Sequence, residues 1–122
     1  MVGLGIDLVA ISRIAELDRR YGPRFREKVM APGEVASSIE SLAGLWAAKE
    51  AVAKALGCGF RGFGPVSVAI YRDLSGAPKV TLLGAAADVG DKLEVGTIHV
   101  SISHDLGLAV ACAVALRRSR EV

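Results

Sequence analysis

The chain has 122 residues, of which 52% are hydrophobic, 23% charged and 5% aromatic, and its formal net charge is +2. This length and composition are typical of one globular domain, which we expect to span residues 1–122. No Lys/Arg run interleaved with aromatic residues and no apolar run of bilayer length occurs, so neither nucleic acid nor a membrane is an expected partner. Cys58 and Cys112 have neither zinc-ligand nor disulfide spacing, which favours a reducing, cytoplasmic location.

The predicted elements are mostly helices in the first half of the chain and strands in the second. Periodicity interrupted by Gly and Pro predicts a strand at 2–8, short helices at 13–20, 23–29 and 35–39, a long helix at 42–56, strands at 66–71 and 79–83, a helix at 84–93, and strands at 97–103 and 108–116. Ser12 is the predicted N-cap of the first helix, and Gly57 is the predicted end of the long one. This order predicts a compact α+β fold, with several short helices and one long helix packed on an antiparallel sheet.

The first strand has two unequal faces. One face is apolar, with Val2, Leu4, Ile6 and Leu8, whereas the other carries only Gly3, Gly5 and Asp7. Glycine within a strand is expected where another backbone or a ligand comes close. If Asp7 is buried, its carboxylate needs a cation, a hydrogen-bond donor or a metal, although it could also cap the turn at Ser12.

The long helix carries charged residues at the margin of its buried face. Its predicted apolar stripe comprises Leu42, Leu45, Ala48, Val52, Ala53 and Leu56. Lys49 projects into the stripe, and Glu50 and Lys54 lie just beyond it. An ordinary ion pair of Glu50 with Lys54 is worth ~0.2–0.5 kcal/mol, and Lys49 could extend its ammonium to solvent. Alternatively, Asp7 and Glu50 together offer the oxygen ligands that Mg²⁺ binds beside phosphate groups.

Two further groups of polar residues occur. The strand at 97–103 alternates apolar residues with His99, Ser101 and Ser103, and it ends beside His104. The chain contains no G-x-S-x-G elbow, which argues against a serine hydrolase. Basic residues cluster at Arg13, Arg19, Arg20, Arg24, Arg26 and Lys28 and again at Arg117, Arg118 and Arg120. The first cluster suits either solvent or an acidic partner, and the second suits a solvated tail.

Three motifs, in this order, resemble the signature of the holo-[acyl-carrier-protein] synthases. They are GIDLV at 5–9 running on to Arg13, WAAKEA at 46–51 running on to KALG at 54–57, and HVSISH at 99–104. The Ser75-Gly76-x-Pro78 turn and the Ala-rich last strand at 109–115 match as well. Two residues depart from the pattern: Leu45, where this family often has arginine, and Cys58, where a small hydroxyl residue is frequent.

The resemblance implies an enzyme of fatty acid biosynthesis that transfers the 4′-phosphopantetheine group of coenzyme A to a serine of an acidic apo acyl carrier protein, releasing adenosine 3′,5′-bisphosphate. It implies Mg²⁺ as the cofactor, bound by Asp7 and Glu50, and a homotrimer with active sites between subunits. The implied catalytic residues are Asp7, Glu50, Lys54 and His104. Those implied for coenzyme A are Lys49, Lys54, Gly57, Ser75, Gly76, Pro78, Ser101, Ser103 and His104, and those for the carrier protein are Arg13, Arg20 and Arg24.

Two other functions stay open from the residues alone. The Asp7/Glu50 pair could serve another Mg²⁺-dependent enzyme that acts on a phosphate ester, such as a hydrolase. A non-catalytic homo-oligomer that binds a nucleotide ranks lower, because it has no need of a lysine beside two carboxylates. In the transferase, the proton of the attacking serine could pass to Glu50, His104 or metal-bound water.

Overall fold

The computed structural model describes residues 1–119 and contains four α-helices and five strands within them. In chain order the elements are β1 (Gly3–Ala10), α1 (Ile11–Tyr21), α2 (Pro23–Val29), α3 (Ile39–Ala55), β2 (Val68–Arg72), β3 (Pro78–Leu82), α4 (Gly84–Lys92), β4 (Val95–Asp105) and β5 (Leu108–Arg117). A short 3₁₀ turn, Pro65–Ser67, precedes β2. The predicted α+β class, with one long helix and several short ones, is confirmed.

The strands form two antiparallel sheets. The larger sheet has the order β1-β5-β4, and the smaller one pairs β2 with β3. In the larger sheet Asp7 lies opposite Ala111, which in turn lies opposite Ile102 of β4. α3 crosses this sheet and contacts all three of its strands. Because β1 and β4 are the outer strands of this sheet, their side chains that project toward α3 lie on opposite sides of the helix.

Helix α3 approaches β1 so closely that only glycine fits between them. A Cβ atom at Gly3 would lie 1.8 Å from the carbonyl oxygen of Ala55, and one at Gly5 would lie 1.9 Å from that of Ala51. The adjacent strand β5 contributes only small buried side chains to this face, namely those of Ala109, Ala111, Ala113 and Ala115. The expectation that the strand glycines admit another backbone is thus confirmed, and that backbone belongs to α3.

The apolar face of β1 lies open in the protomer. Leu4, Ile6 and Leu8 are 58%, 62% and 60% exposed. Their partners across the β1–β5 ladder are Val114, Cys112 and Val110, so apolar side chains of two strands form one continuous surface, which we call the open sheet face. The alternation within β1 is as predicted, and the glycine face rather than the leucine face is covered by the helix.

Two predictions about helix starts are wrong. Residues 35–37 are not helical, and α3 begins at Ile39, where the Ser38 hydroxyl accepts a hydrogen bond of 3.1 Å from the Ser41 amide. Ser12 is not an N-cap, because α1 begins at Ile11 with Ala10 in the capping position. The Ile11 amide instead donates to the carbonyl of Gly107, 2.9 Å away, which ties the start of α1 to the β4–β5 turn.

The other ends of the elements follow the prediction more closely. Gly57, with φ +83, ends α3 as expected, because a left-handed residue after the last turn favours glycine. Arg117 and Arg118 are exposed, as predicted for solvated residues, and form surface ion pairs with Glu94 and Asp91; Arg120 lies outside the described residues. In residues 1–119 no helix has both the length and the apolar character needed to cross a membrane.

Candidate active site

The β1–α3 contact brings Asp7 and Lys54 together. The Lys54 Nζ atom donates to Asp7 Oδ1 at 3.1 Å and to the carbonyl oxygen of Ile6 at 2.9 Å. The Asp7 side chain is 16% exposed and that of Lys54 48%, so the pair lies at the surface margin of the helix–sheet contact. The ion pair between Glu50 and Lys54 that the sequence spacing allowed is not formed, because the Lys54 ammonium is directed to β1.

Glu50 is the second carboxylate of this group. Its pKa is raised, first by partial burial and then by the negative charge of Asp7, while Lys54 and Arg13 lower it. Within residues 1–119 its carboxylate accepts no hydrogen bond. Two carboxylates that repel each other and keep free oxygens are a favourable environment for a divalent cation.

These donors fit Mg²⁺. Asp7 and Glu50 supply hard oxygen atoms, and Mg²⁺ characteristically takes one or two carboxylates and completes its octahedron with water and substrate phosphate. No group of three or more His, Cys, Asp or Glu side chains that could hold a metal occurs in the described part of the chain. The arrangement therefore suits a cation that a phosphate-bearing substrate helps to bind, rather than a cage built entirely by the protein.

Lys49 is buried, which corrects the interpretation that its ammonium extends to solvent; its predicted contact with coenzyme A stays a prediction. Its side chain and that of Glu34 have no exposed surface, and Lys49 Nζ lies 2.8 Å from Glu34 Oε1. The same ammonium donates to the carbonyl oxygens of Pro65 (3.0 Å) and Val68 (2.6 Å). Burial lowers the pKa of Lys49, and the ion pair with Glu34 opposes that shift. With three acceptors for its three protons, the ammonium is fully used inside the protein.

Glu34 is an important buried residue that the sequence did not reveal. Its Oε1 also accepts from the amide of Ala31 at 2.6 Å, and its Oε2 accepts from that of Ile70 at 2.7 Å. These bonds hold the segment before α3 against β2, which explains why residues 35–37 are not helical. The sequence signal available was a single glutamate after Pro32-Gly33, without a periodicity that would mark it as buried.

The motif at 99–104 is divided between the two faces of β4. Ser101 and Ser103 are exposed on the face that carries Cys112 and Val110 in β5, which is the open sheet face. His104 has the opposite orientation and lines, with Ile102, a cavity of about 630 Å³ against α3, β2 and residues 33–37. Asp7, Glu50 and Lys54 do not line this cavity. Within one protomer the predicted site residues therefore lie in three separate places: the Asp7 group, the cavity at His104, and the open sheet face with Ser101 and Ser103.

The turn at residues 73–77 is held rigidly. Asp73 Oδ1 accepts hydrogen bonds from the Ser75 amide (2.9 Å), the Ser75 hydroxyl and the Ala77 amide (3.0 Å). Arg72 Nη1 donates to the Gly76 carbonyl oxygen at 2.8 Å, and Gly76 has φ +87. No hydrogen bond or ion pair among residues 1–119 joins this turn to the Asp7 group.

The basic cluster on α1 and α2 contains both paired and free cations. Arg19 is paired with Glu16, and Arg26 is paired with Asp18 at 2.9 Å. Arg13, Arg20 and Arg24 are exposed and have no ion pair among the described residues. The guanidinium of Arg20 lies 5.5 Å from the ring centre of Tyr21, and Arg13 is close enough to lower the pKa of Glu50. The free cations therefore extend from the Asp7 group along the outer face of the helices.

Comparison with known proteins defines the class of enzyme. The model of the 4′-phosphopantetheinyl transferase superfamily matches residues 3–113, which include Asp7, Glu50, Lys54 and His104. This match covers β1, α3, β4 and the first part of β5. The chain is therefore a member of the 4′-phosphopantetheinyl transferase superfamily.

Individual relatives define a narrower family within this superfamily. The holo-[acyl-carrier-protein] synthase of Beutenbergia cavernae is 45% identical over 120 residues, covering 96% of this chain and 99% of its own. That of Desulfovibrio desulfuricans is 44% identical over 119 residues, covering 93% and 96%. The crystal structure of the Helicobacter pylori synthase in complex with coenzyme A superposes with a TM-score of 0.84 at 32% identity, covering 93% of this chain and 99% of that one. The chain belongs to the holo-[acyl-carrier-protein] synthase family.

Proposed function

We propose that the protein transfers the 4′-phosphopantetheine group from coenzyme A to a serine of apo acyl carrier protein in a Mg²⁺-dependent reaction that releases adenosine 3′,5′-bisphosphate. The observation that carries this proposal is the convergence of Asp7, Glu50 and Lys54 at one margin of α3. Phosphoryl transfer needs positioning and charge neutralisation more than covalent chemistry from the protein. The free thiols Cys58 and Cys112 agree with a reducing compartment, and we place the reaction in the cytoplasm.

Each residue of the group has a distinct part. Asp7 and Glu50 hold Mg²⁺, which when bound neutralises charge on the pyrophosphate of coenzyme A. Lys54, fixed by Asp7 and the Ile6 carbonyl yet half-exposed, stabilises the charge that develops on the departing nucleotide. The oxygen of the carrier serine bonds to the phosphorus that carries the pantetheine, and the serine proton passes to water. The bond from that phosphorus to the bridging oxygen breaks, and its electron pair leaves with adenosine 3′,5′-bisphosphate.

The direct test is mass spectrometry of an apo carrier protein incubated with coenzyme A, Mg²⁺ and the enzyme. We expect a mass increase of one phosphopantetheine, and we expect Asp7→Ala to abolish it because one of two metal ligands is lost. Retained activity in folded Asp7→Ala would contradict the metal assignment. Rapid release of adenosine 3′,5′-bisphosphate from coenzyme A without any carrier would instead support the alternative, a hydrolase.

The protomer's geometry supports a homotrimer with shared active sites. Among residues 1–119 no hydrogen bond or ion pair joins His104 or the turn at residues 73–77 to the Asp7 group, and that group does not line the cavity at His104. The open sheet face exposes Leu4, Ile6 and Leu8. We propose that self-association covers that face and brings coenzyme A contacts of one subunit, namely Ser75, Gly76, Pro78, Ser101, Ser103 and His104, to the Asp7 group of its neighbour. Gly57 lies two residues after the end of α3, so it contributes to the site in the same subunit as Lys54.

A charge placed on the open sheet face is expected to break this assembly. Ile6 is 62% exposed at its centre, so Ile6→Glu leaves the protomer core intact but buries a carboxylate in any interface, which is costly. We expect sedimentation equilibrium to show trimers for the original chain and monomers for the variant, with activity lost. As a control, Ala85→Glu on the exposed side of α4 should remain trimeric; an Ile6→Glu trimer would contradict the proposed interface.

The free cations of α1 and α2 are proposed to bind the acidic carrier. Charge reversal in Arg13→Glu should raise the KM for the carrier about 10-fold, equivalent to ~1.4 kcal/mol, and leave the KM for coenzyme A largely unchanged. Steady-state kinetics with each substrate varied in turn measures this. Lys92→Glu, a reversal on an exposed residue of α4, should change neither KM. If Arg13→Glu raises both constants, Arg13 supports the metal group through Glu50 rather than the carrier.

A further inference from the structure

The buried ion pair of Glu34 and Lys49 has no direct part in the proposed chemistry, yet it is completely satisfied. Glu34 binds the ammonium and two backbone amides, and Lys49 binds the carboxylate and two backbone carbonyls. A buried ion pair is a poor source of stability, since apolar residues of similar volume often serve at least as well. Such a pair does impose a fixed geometry on the elements that it joins.

Where helix α3 meets β1 and β5, the contact is made by glycine and alanine and lacks interdigitating large side chains. Ala51 and Ala55 lie against the glycines of β1, and Gly44 lies against Ile102 of β4. Large interdigitating side chains define the rotation of most packed helices, and small residues leave that rotation poorly defined. α3 is also buried over most of its circumference, so polar and apolar faces do little to orient it about its axis.

The rotation of α3 decides where Glu50 points. A side-chain atom roughly 6 Å from the helix axis moves by roughly 2 Å when the helix turns by about 20°. Metal–ligand distances are held within about 0.2 Å, so even a small rotation would take the Glu50 carboxylate out of reach of a cation on Asp7. Lys49 immediately precedes Glu50, and its ammonium is fixed on the side of α3 that faces β2 and the segment before the helix.

We propose that Glu34 is a positioning residue, which holds Lys49 and thereby fixes the rotation of α3 that presents Glu50 and Lys54 to Asp7. Two anchors then define the helix: the Lys49 network on one side and the bonds of Lys54 to Asp7 and the Ile6 carbonyl on the other. This inference rests on the proposed function of Asp7 and Glu50 as metal ligands. It assigns a role to a residue far from the reacting atoms.

The test measures direct binding of Mn²⁺, used as a paramagnetic substitute for Mg²⁺, by electron paramagnetic resonance with coenzyme A present, because substrate phosphate completes such a two-carboxylate site. The double variant Glu34→Gln/Lys49→Met removes both charges and keeps the side-chain volumes. We expect its affinity for Mn²⁺ to fall about 10-fold or more, the range seen when outer partners of metal ligands are lost. A second neutral variant, Glu34→Gln/Lys49→Gln, keeps a side-chain donor for the Pro65 and Val68 carbonyl oxygens; it should show the same loss and decides the question if the first variant does not fold.

Val80→Ala in β3 is the matched control, since it removes packing against the core without touching either anchor of α3. Urea unfolding measures the loss of stability in every variant. Val80→Ala should lose stability but keep its Mn²⁺ affinity, whereas the Glu34 variants should lose both. Unchanged Mn²⁺ affinity in a folded Glu34 variant would overturn the positioning role and leave the metal site standing. Failure of the original chain to bind Mn²⁺ would overturn the metal site together with the inference.

Discussion

Glu50→Gln is expected to lower the rate of phosphopantetheine transfer by at least about 100-fold, as is typical for loss of one group that stabilises the transition state. The same change should leave the metal-free protein at least as stable as the original. Burial and Asp7 hold the pKa of Glu50 above its usual value of 4.5 in the folded state. The folded state then binds more protons than the unfolded one, so stability falls as the pH rises from about 4.5 through the raised pKa. Above its raised pKa the ionised Glu50 opposes folding, and glutamine removes that charge.

Urea unfolding at pH 7, with and without Mg²⁺, separates the two effects. The original chain should gain stability on adding Mg²⁺, because a ligand that binds only the folded state raises its unfolding free energy, whereas Glu50→Gln should gain little. Glu27→Gln, a matched change on the exposed side of α2, should keep both the activity and the Mg²⁺ effect. Full transfer activity in Glu50→Gln would exclude Glu50 as a metal ligand.

Gly5→Ala is expected to cost about 3 kcal/mol or more of unfolding free energy, at the upper end of the usual cost of overpacking a core. The added Cβ would lie 1.9 Å from the carbonyl oxygen of Ala51 and 2.8 Å from the amide nitrogen of Ala55. Both atoms belong to the backbone of α3, which cannot move aside as a flexible side chain would. The helix must therefore separate from β1, and Glu50 and Lys54 must move away from Asp7.

The matched control for this substitution is Gly64→Ala. Gly64 has φ −106, which any residue adopts, and a Cβ there would have no atom within 4 Å. We expect urea unfolding to show little change for Gly64→Ala, or a gain of up to ~1 kcal/mol from the stiffer unfolded chain. A Gly5→Ala protein of original stability and activity would show that α3 and β1 can part without disturbing the active group.

The sequence predicted most of the local structure and the core of the site for identifiable reasons. Period-two alternation located β1 and its glycines, and those glycines correctly implied a close backbone. The motifs singled out Asp7, Glu50 and Lys54, which the β1–α3 contact brings together. These features depend on neighbours in the sequence or on a distinctive motif.

Long-range partners were beyond the reach of the same reasoning. Lys49 projected into an apolar stripe, which the sequence explained by an ammonium that extends to solvent. Its actual partner, Glu34, lies 15 positions earlier and carries no pattern that would mark it as buried. The separation of His104 from Ser101 and Ser103 follows from strand alternation alone. Because of this separation, residues 99–104 do not form one binding segment within a single protomer. Only the three-dimensional structure shows which of the two faces is covered by α3.

Because of the open sheet face, the stability and the activity of the protein should depend on its concentration. The protomer exposes Leu4, Ile6 and Leu8 to water, so the free energy of the system falls when another copy covers them. Its melting temperature should then rise with concentration, because association adds to the work of unfolding. Dilution would act as an off-switch for an active centre assembled from neighbouring copies, and newly synthesised chains would become functional only after they had met one another.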